Sequence, residues 1–119
     1  MKYILLIHQG DTPVPGSDAW ESLSEDEQKA VYADYQAINQ TPGVTPADFQ
    51  MQPPETATTV RVEGGETLTT DGPFVAIKEA LGGYLIFEAD DLDAAIELAA
   101  RIPAARMGGA IEVRPLVER

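Results

Sequence analysis

Blocks of apolar residues, separated by polar and turn-forming residues, predict the main strands of the chain. The run Tyr3–Ile7 is continuously apolar, which is typical of a strand buried in the middle of a sheet. Residues Gly83–Glu88 predict a second strongly apolar strand. Apolar and polar residues alternate along Ile111–Val117, as they do in a half-exposed strand. Because Pro115 has no backbone N–H, this last strand is expected at an edge of the sheet, or with the N–H direction of Pro115 facing away from a neighbouring strand.

Apolar residues at helical spacing predict a first helix over about Glu25–Asn39. Ser24 and Glu27 match the capping box that begins many helices, and Pro42-Gly43 ends the pattern. The buried stripe of this helix is predicted to contain Val31, Tyr35 and Ile38, with Ala30 and Ala37 beside them.

A second helix is predicted after residue 90. Asp90 or Asp91 is its N-cap, and Pro103 closes it. Its buried face is predicted to consist of Leu92, Ala95, Ile96 and Ala99.

The middle of the chain predicts a β-hairpin. The β-rich segments Thr58–Val62 and Thr67–Thr70 flank Gly64-Gly65, which supply the turn. Before the hairpin, Phe49 and Met51 alternate with glutamines, and this alternation predicts one more short strand.

A tight turn, Asp71-Gly72-Pro73-Phe74, follows the hairpin directly. Gly tolerates a positive φ, Pro fixes φ at about −65°, and Asp can accept a hydrogen bond from the backbone two residues on. Phe74 is predicted to anchor the turn in the core.

The elements follow one another as strand, helix, strand, inserted hairpin, strand, helix, strand. This order predicts an α+β protein with the ferredoxin-like βαββαβ plan, built as a single domain over residues 1–119. Two helices cover only one face of such a sheet, whereas Tyr3–Ile7 and Tyr84–Phe87 carry apolar side chains on both faces. A second copy packed sheet to sheet about a two-fold axis would bury the open face, so a homodimer is expected.

Composition narrows the classes of partner. The 119 residues include 20 acidic and 8 basic side chains, which give a net charge of −12. Such a surface repels the phosphates of nucleic acids and anionic lipids, so neither nucleic acid nor membrane is an expected partner. The absence of Cys excludes disulfides and thiolate catalysis. No export signal is recognisable, so the cytoplasm is the expected location.

No cofactor and no metal are expected. The chain contains no P-loop, no GxGxxG, no GxSxG and no HExxH motif. Asp90, Asp91 and Asp93 are better explained by a helix start than by a metal site, because they lack the spacing and the Gly of a calcium loop.

His8 and Asp71 are the candidate catalytic residues. His8 is the only histidine, and it ends the first strand, a place from which side chains often point into ligand crevices. If Asp71 lies within hydrogen-bond distance, it would orient the imidazole, and His8 would be able to move a proton at neutral pH. Two alternatives stay open: His8 as a solvated or hydrogen-bonded residue beside a cleft, and Asp71 as a turn former only.

Three more charged residues are candidates for substrate binding. Arg106, in the loop after the second helix, and Arg61, on the hairpin, are possible contacts for the carboxylate or phenolate of a small anionic ligand. Glu79 is a candidate to line the same cleft as Asp71. Each has a simpler explanation as well: pairing with nearby acids for Arg106, a surface salt bridge for Arg61, and a solvated pair with Lys78 for Glu79.

Several short motifs resemble the DGPF branch of the YCII-related proteins. They are Ala57–Arg61, Asp71–Phe74, Lys78–Tyr84, Ala100–Arg106 and Ile111–Pro115. The match covers most of the chain from about Gln52 onward and, more loosely, the first strand. The resemblance implies a dimeric α+β barrel made of two ferredoxin-like halves, in agreement with the packing argument.

The resemblance also implies two classes of function. The wider group is thought to be enzymatic because of a His–Asp pair. That suggests a cofactor-independent isomerase or lyase acting on a small organic acid or hydroxylated ring, with His8 as acid/base, Asp71 as its orienter and Arg106 as an anion contact. The alternative is a non-catalytic ligand- or protein-binding module linked to transcription, because some DGPF proteins are associated with sigma-factor-like proteins. With a net charge of −12, such a module would act through protein contacts.

Overall fold

The computed structural model of the protein describes residues 1–45, 51–75 and 81–118. Within these ranges the strands are β1 (Lys2–His8), β2 (Val44–Thr45), β3 (Thr58–Glu63), β4 (Glu66–Asp71), β5 (Leu81–Glu88) and β6 (Ala110–Pro115). The helices are α1 (Asp18–Glu21), α2 (Glu25–Asn39) and α3 (Leu92–Ala100), and two single 3-10 turns lie at Pro54–Thr56 and Pro103–Ala105.

Strands β2, β5, β1 and β6, in that order, form one antiparallel sheet. With the hairpin β3–β4 set aside, this is the sheet of a ferredoxin-like fold, so the predicted α+β class and βαββαβ plan are confirmed. Strand β1 pairs with both β5 and β6 and therefore lies inside the sheet. Strand β6 is at an edge, as Pro115 predicts.

The helices cover one face of the sheet. On that face Tyr3, Leu5 and Ile7 of β1 are buried beside Leu85 and Phe87 of β5. The helical side of the core adds Ile38, Ala95, Leu98, Ala99 and Ile102. Because side chains alternate along a strand, the intervening residues of β1 and β5 lie on the opposite face. These are Ile4, Leu6, Tyr84 and Ile86, and Tyr84 is 46% exposed.

The capping box of α2 forms as predicted. The N–H of Glu27 donates to the Ser24 hydroxyl over 3.1 Å, and the N–H of Ser24 donates to the Glu27 carboxylate over 3.0 Å. Val31 and Ile38 are buried and Tyr35 is partly buried, whereas Ala30 and Ala37 are exposed. The predicted buried stripe of α2 is therefore correct for Val31, Tyr35 and Ile38 and wrong for Ala30 and Ala37.

The buried face of α3 differs from the prediction at two positions. Leu92 and Ile96 are 49% and 50% exposed. The buried residues are instead Ala95, Leu98 and Ala99, and Ile102 just beyond the helix continues the stripe. These residues recur with spacings of three and four, so that the apolar face is rotated by about one residue from the predicted one.

The short strand before the hairpin also lies elsewhere than predicted. Strand β2 pairs Val44 and Thr45 with Phe87 and Ile86 of β5. Gly43, with φ +93°, allows this turn directly after α2, and its carbonyl accepts the Glu88 N–H over 2.8 Å. Of the residues that predicted a strand, Met51 is outside any strand and Phe49 lies outside the described residues.

The hairpin β3–β4 is confirmed and forms its own two-stranded sheet. Gly64 and Gly65 supply the turn with φ values of 56° and 81°. Apart from partly buried Thr59, the residues of both strands are exposed, including Val60 at 59% and Val62 at 67%. The radius of gyration is 16.1 Å, against about 13.5 Å for a compact chain of this length. The hairpin therefore extends the molecule beyond its core.

Candidate functional site

His8, the last residue of β1, lines a cleft with a volume of about 620 Å³. The cleft, called the His8 cleft below, lies between the end of the sheet and the base of the hairpin. The other described residues that line it are Met51, Gln52, Pro53, Pro54, Thr56, Ala57, Pro73, Phe74, Val75 and Leu81. Most of these side chains are apolar, so the cleft favours a ligand with an apolar body.

A carboxylate reaches His8 from the neighbouring strand. The Nε2 atom of His8 lies 3.4 Å from the Oε1 atom of Glu112. In the register between β1 and β6, His8 is opposite Ala110 and Leu6 is opposite Glu112, so that His8 and Glu112 are diagonal neighbours on one face. Their side chains are 22% and 41% exposed, respectively. Glu112 was not among the site residues predicted from the sequence.

Arg114 keeps Glu112 in its charged form. The two side chains are two residues apart on the same face of β6 and form an ion pair. The hydrogen bond and the positive charge of Arg114 lower the pKa of the Glu112 carboxyl below its usual range, and a hydrogen bond from His8 lowers it further to a smaller extent. At neutral pH Glu112 is therefore a carboxylate that accepts hydrogen bonds only.

The turn that holds Asp71 is made by its neighbours. Gly72 has a φ of +100°, its N–H donates to the Ala57 carbonyl over 2.7 Å, and its own carbonyl accepts from the Thr59 hydroxyl over 2.8 Å. The predicted hydrogen bond from the backbone two residues after Asp71 cannot form, because that residue is Pro73 and has no N–H. Asp71 itself is exposed at the end of β4, opposite Thr58. The alternative role of Asp71, in which its carboxylate only stabilises the turn, therefore lacks the hydrogen bond on which it was based.

Phe74 is not a core anchor, because its side chain is 70% exposed. The hairpin extends away from the core, and the turn that follows it lies at the wall of the His8 cleft, where Phe74 is one of the lining residues. The guanidinium carbon of Arg61 lies 5.3 Å from the centre of the Phe74 ring, within cation–π range. Arg61, a predicted substrate-binding residue, is thus positioned beside a residue that lines this cleft.

Arg106 lies on the helix side of the sheet. It forms an ion pair with Asp34 of α2, and its charge also acts on Tyr35, the next residue of that helix. Burial raises the pKa of the Tyr35 hydroxyl above its usual value, and the positive charge of Arg106 partly offsets this effect. Glu79, the last of the predicted site residues, lies outside the described residues.

A second cavity, with a volume of about 280 Å³, lies between α2, the loop after β1, and β5. It is called the helix-side cavity below. Its lining residues are Ile7, Gln9, Thr12, Pro13, Val14, Pro15, Val31, Tyr32, Tyr35, Asn39, Gly82, Gly83, Tyr84, Leu85 and Pro103. Ile7 and His8 are consecutive in β1, so their side chains leave opposite faces of the sheet and serve different cavities.

In the part of the chain that the structure describes, no group of three or more His, Asp and Glu side chains is arranged to hold a metal ion. Among the same residues, no helix has both the length and the apolar character needed to cross a membrane.

Over its whole length, residues 1–119, the chain matches the family model of the YCII-related domain. The chain belongs to the YCII-related family. The predicted membership is therefore confirmed at the level of this family. An uncharacterized protein of Rhizobium meliloti (strain 1021) is 31% identical to it over 120 residues, which cover 98% of this chain and 92% of that protein. The relative's name states no activity.

Proposed function

We propose that this YCII-related domain is a cofactor-independent enzyme of the isomerase or lyase type, in which His8 moves a proton. The observation that carries the proposal is the His8–Glu112 pair, 3.4 Å apart, at the wall of an apolar cleft. Histidine changes its charge near neutral pH more readily than other side chains. A carboxylate beside the imidazole selects its tautomer and stabilises the imidazolium that forms when the ring takes up a proton.

The proposed substrate is a small organic acid or a hydroxylated ring with an apolar body. Ligand pockets for small molecules have volumes of about 300–1,000 Å³, and the His8 cleft, at about 620 Å³, lies in that range. Pro53, Phe74 and Leu81 offer apolar contacts to the body of such a molecule. The acidic C–H or O–H group of the substrate would face His8.

Other charged residues have supporting roles in this proposal. Arg61, held over Phe74, is the proposed contact for a carboxylate or phenolate at the mouth of the cleft. Asp71 is a second carboxylate proposed to act on His8, in addition to Glu112. Arg106, which is engaged with Asp34, and Glu79 remain predictions from the sequence.

The proposal is tested by proton exchange. A panel of small oxo acids, cyclic ketones and hydroxylated rings is incubated with the protein in D₂O, and the replacement of C–H by C–D is followed by ¹H NMR. Wild-type protein is expected to catalyse exchange in at least one compound, and His8→Gln is expected to slow it by about 10²–10⁴-fold. Glu97→Gln, an exposed change on α3, is the matched control and keeps the wild-type rate. Exchange at the wild-type rate in His8→Gln would show that the proposed role is wrong.

A second candidate function is a non-catalytic regulatory module, and the exposed hairpin favours it. Val60, Val62 and Leu68 are 59%, 67% and 41% exposed, and an isolated two-stranded hairpin is only marginally stable in water. Such a surface suits contact with another protein, for instance a sigma-factor-like protein. If this function is correct, the protein catalyses no C–H exchange in the assay above. It binds a sigma-factor-like protein, and the double variant Val60→Lys, Val62→Lys loses this binding.

We also propose that the domain is a cytoplasmic homodimer of the DGPF branch, assembled as a dimeric α+β barrel. The face of the sheet opposite the helices carries an apolar surface made of Ile4, Leu6, Tyr84 and Ile86, which a second copy would bury. The exposed hairpin is proposed to cross to the partner subunit. Light scattering after size exclusion is expected to give a dimer for wild type and a monomer for Leu6→Glu. Leu92→Glu, at an exposed position of α3, is the control and stays dimeric. A dimeric Leu6→Glu variant would argue against sheet-to-sheet packing.

A further inference from the structure

The helix-side cavity exists because a strand residue that faces the helices has no side chain. Gly83 alternates with Leu85 and Phe87 along β5, and these two side chains fill the core. Among the described residues, a Cβ atom placed on Gly83 would meet only the Ile7 Cδ1 atom, at 4.0 Å. The φ of Gly83 is not positive, so that an ordinary residue fits the backbone. Gly weakens the interior of a strand, and here neither backbone conformation nor space requires it.

The loop that closes this cavity is held in place by close backbone contacts. Gly10 has a φ of +56°, and a Cβ atom there would lie 2.4 Å from the Gly108 carbonyl oxygen. The N–H of Asp11 donates to that carbonyl over 3.4 Å, and the N–H of Thr12 donates to the Gln9 carbonyl over 2.9 Å. The cavity wall formed by this loop is therefore pre-formed, as ligand pockets usually are.

Tyr35 is the residue of the cavity wall proposed to bond to a ligand oxygen. Its phenol lines the cavity, and a phenolic hydroxyl can donate one hydrogen bond to a carbonyl or hydroxyl oxygen. Thr12 also lines the cavity, but its Oγ1 atom is buried away from the accessible space and is therefore not a ligand contact.

The surroundings disfavour a charged ligand. The remaining walls are largely apolar, with Val14, Val31 and Leu85 among them. Arg106, the cation whose charge acts on Tyr35, is already paired with Asp34. The net charge of −12 repels anions as a whole.

We propose that the helix-side cavity is a second ligand site, separate from the His8 cleft, for a small neutral ring compound with one carbonyl or hydroxyl group. Its volume of about 280 Å³ is roughly twice that of an apolar cavity of about 150 Å³ that binds benzene. One or two fused rings therefore fit. The ring packs in the space above Gly83, and its oxygen accepts a hydrogen bond from Tyr35.

The test compares three probes of equal ring size with the full-length protein. Binding of 2-naphthol, naphthalene and 2-naphthoate is titrated by NMR, with backbone amide shifts used to locate each probe. 2-Naphthol is expected to bind most tightly and to shift the amides around Thr12, Tyr35 and Gly83. No saturable shift of these amides, or a tighter complex of 2-naphthoate than of 2-naphthol measured at these amides, would overturn the proposal.

Variants separate the contributions of space and hydrogen bonding. Gly83→Val fills the cavity without strain at the backbone, so it is expected to weaken 2-naphthol binding at least tenfold while the melting temperature is not lowered. Tyr35→Phe is expected to weaken 2-naphthol about fivefold, as the loss of one hydrogen bond does, and to leave naphthalene unchanged. Glu97→Gln, an exposed change on α3, is the matched control and keeps full affinity. If Gly83→Val does not fold, Gly83→Ala replaces it, and unchanged affinity in that variant and in Tyr35→Phe contradicts the proposal.

Discussion

The imidazole of His8 and the carboxylate of Glu112 lie 3.4 Å apart across two neighbouring strands of the sheet. Arg114, on the same strand as Glu112, holds that carboxylate in its charged form. The arrangement places an imidazole and a carboxylate together at the wall of an apolar cleft. This arrangement is the physical basis of the proposed proton transfer. It combines His8 of the first strand with Glu112 and Arg114 of the last strand.

The first prediction concerns the relative effects of Arg114 and His8 on the pKa of Glu112. Because Arg114 is the main cause of its lowered pKa and His8 a smaller one, Arg114→Gln should raise the pKa of Glu112 more than His8→Gln does. NMR titration of the side-chain carboxyl carbon measures both changes. A group with a lowered folded-state pKa stabilises the fold above its unfolded pKa and loses that contribution as the pH falls. The stability difference between wild type and Arg114→Gln should therefore disappear as the pH falls through the pKa of folded Glu112. A larger effect of the His8 variant would contradict this order.

The second prediction concerns the turn at the base of the hairpin. Gly72→Ala should cost about 1–2 kcal/mol, because Gly72 has a φ of +100°. No atom of the described part of the chain lies within 4 Å of the added Cβ atom, so the cost is assigned to the backbone. Gly83→Ala is the matched control, since its φ is not positive, and it should not destabilise the protein. Hydrogen exchange at the Gly72 amide, together with denaturant unfolding, separates local opening from global unfolding. Equal effects of the two variants would disprove the backbone explanation.

The third prediction concerns Asp71. Its side chain is exposed, and its neighbours supply the hydrogen bonds described for the turn. Asp71→Ala should therefore change the free energy of unfolding by less than about 0.5 kcal/mol, as surface changes usually do. Denaturant unfolding of this variant beside Asp71→Asn provides the measurement. If Asp71→Ala unfolds the protein, the carboxylate is a structural part of the turn after all.

The fourth prediction concerns Tyr35 at high pH. Burial raises the pKa of Tyr35 above 10.0, so the folded state keeps the proton when the unfolded chain has begun to lose it. The contribution is complete below the unfolded pKa and declines as the pH rises through the folded pKa. Tyr35→Phe should weaken this alkaline loss of stability, whereas Tyr32→Phe, at a site 57% exposed, should not. Arg106→Gln should raise the pKa of Tyr35 further, which absorbance titration of the phenolate detects. A lowered pKa in Arg106→Gln would contradict the assigned cause.

Features set by neighbouring residues could be predicted from the sequence. The capping box needs only Ser24 and Glu27, and the hairpin needs a glycine pair between β-rich segments. The apolar run of β1 and the proline of β6 were enough to predict a central and an edge strand. Each of these features depends on a few neighbouring residues, so it can be predicted without knowledge of the tertiary fold.

Features set by strand register could not be predicted. Glu112 meets His8 only because β1 and β6 pair with Leu6 opposite Glu112, and no local pattern specifies that pairing. The alternation of Ile111, Glu112 and Val113 does mark Glu112 as facing away from the core, which is the signal that could have suggested it as a site residue. Phe74 was misplaced for a related reason: an apolar residue after a hairpin returns to the core only if the hairpin itself lies on the core, and this one does not.

The most direct test of the proposed acid/base role uses the fact that the chain contains a single histidine. Diethyl pyrocarbonate modifies the imidazole, and absorbance counts the groups added while the exchange rate in D₂O is measured. The catalysed rate is expected to fall in proportion to the modified fraction of His8, to reach zero at one group per chain, and to return when hydroxylamine removes that group. Exchange that continues at the original rate in fully modified protein would contradict a proton-transferring role for His8.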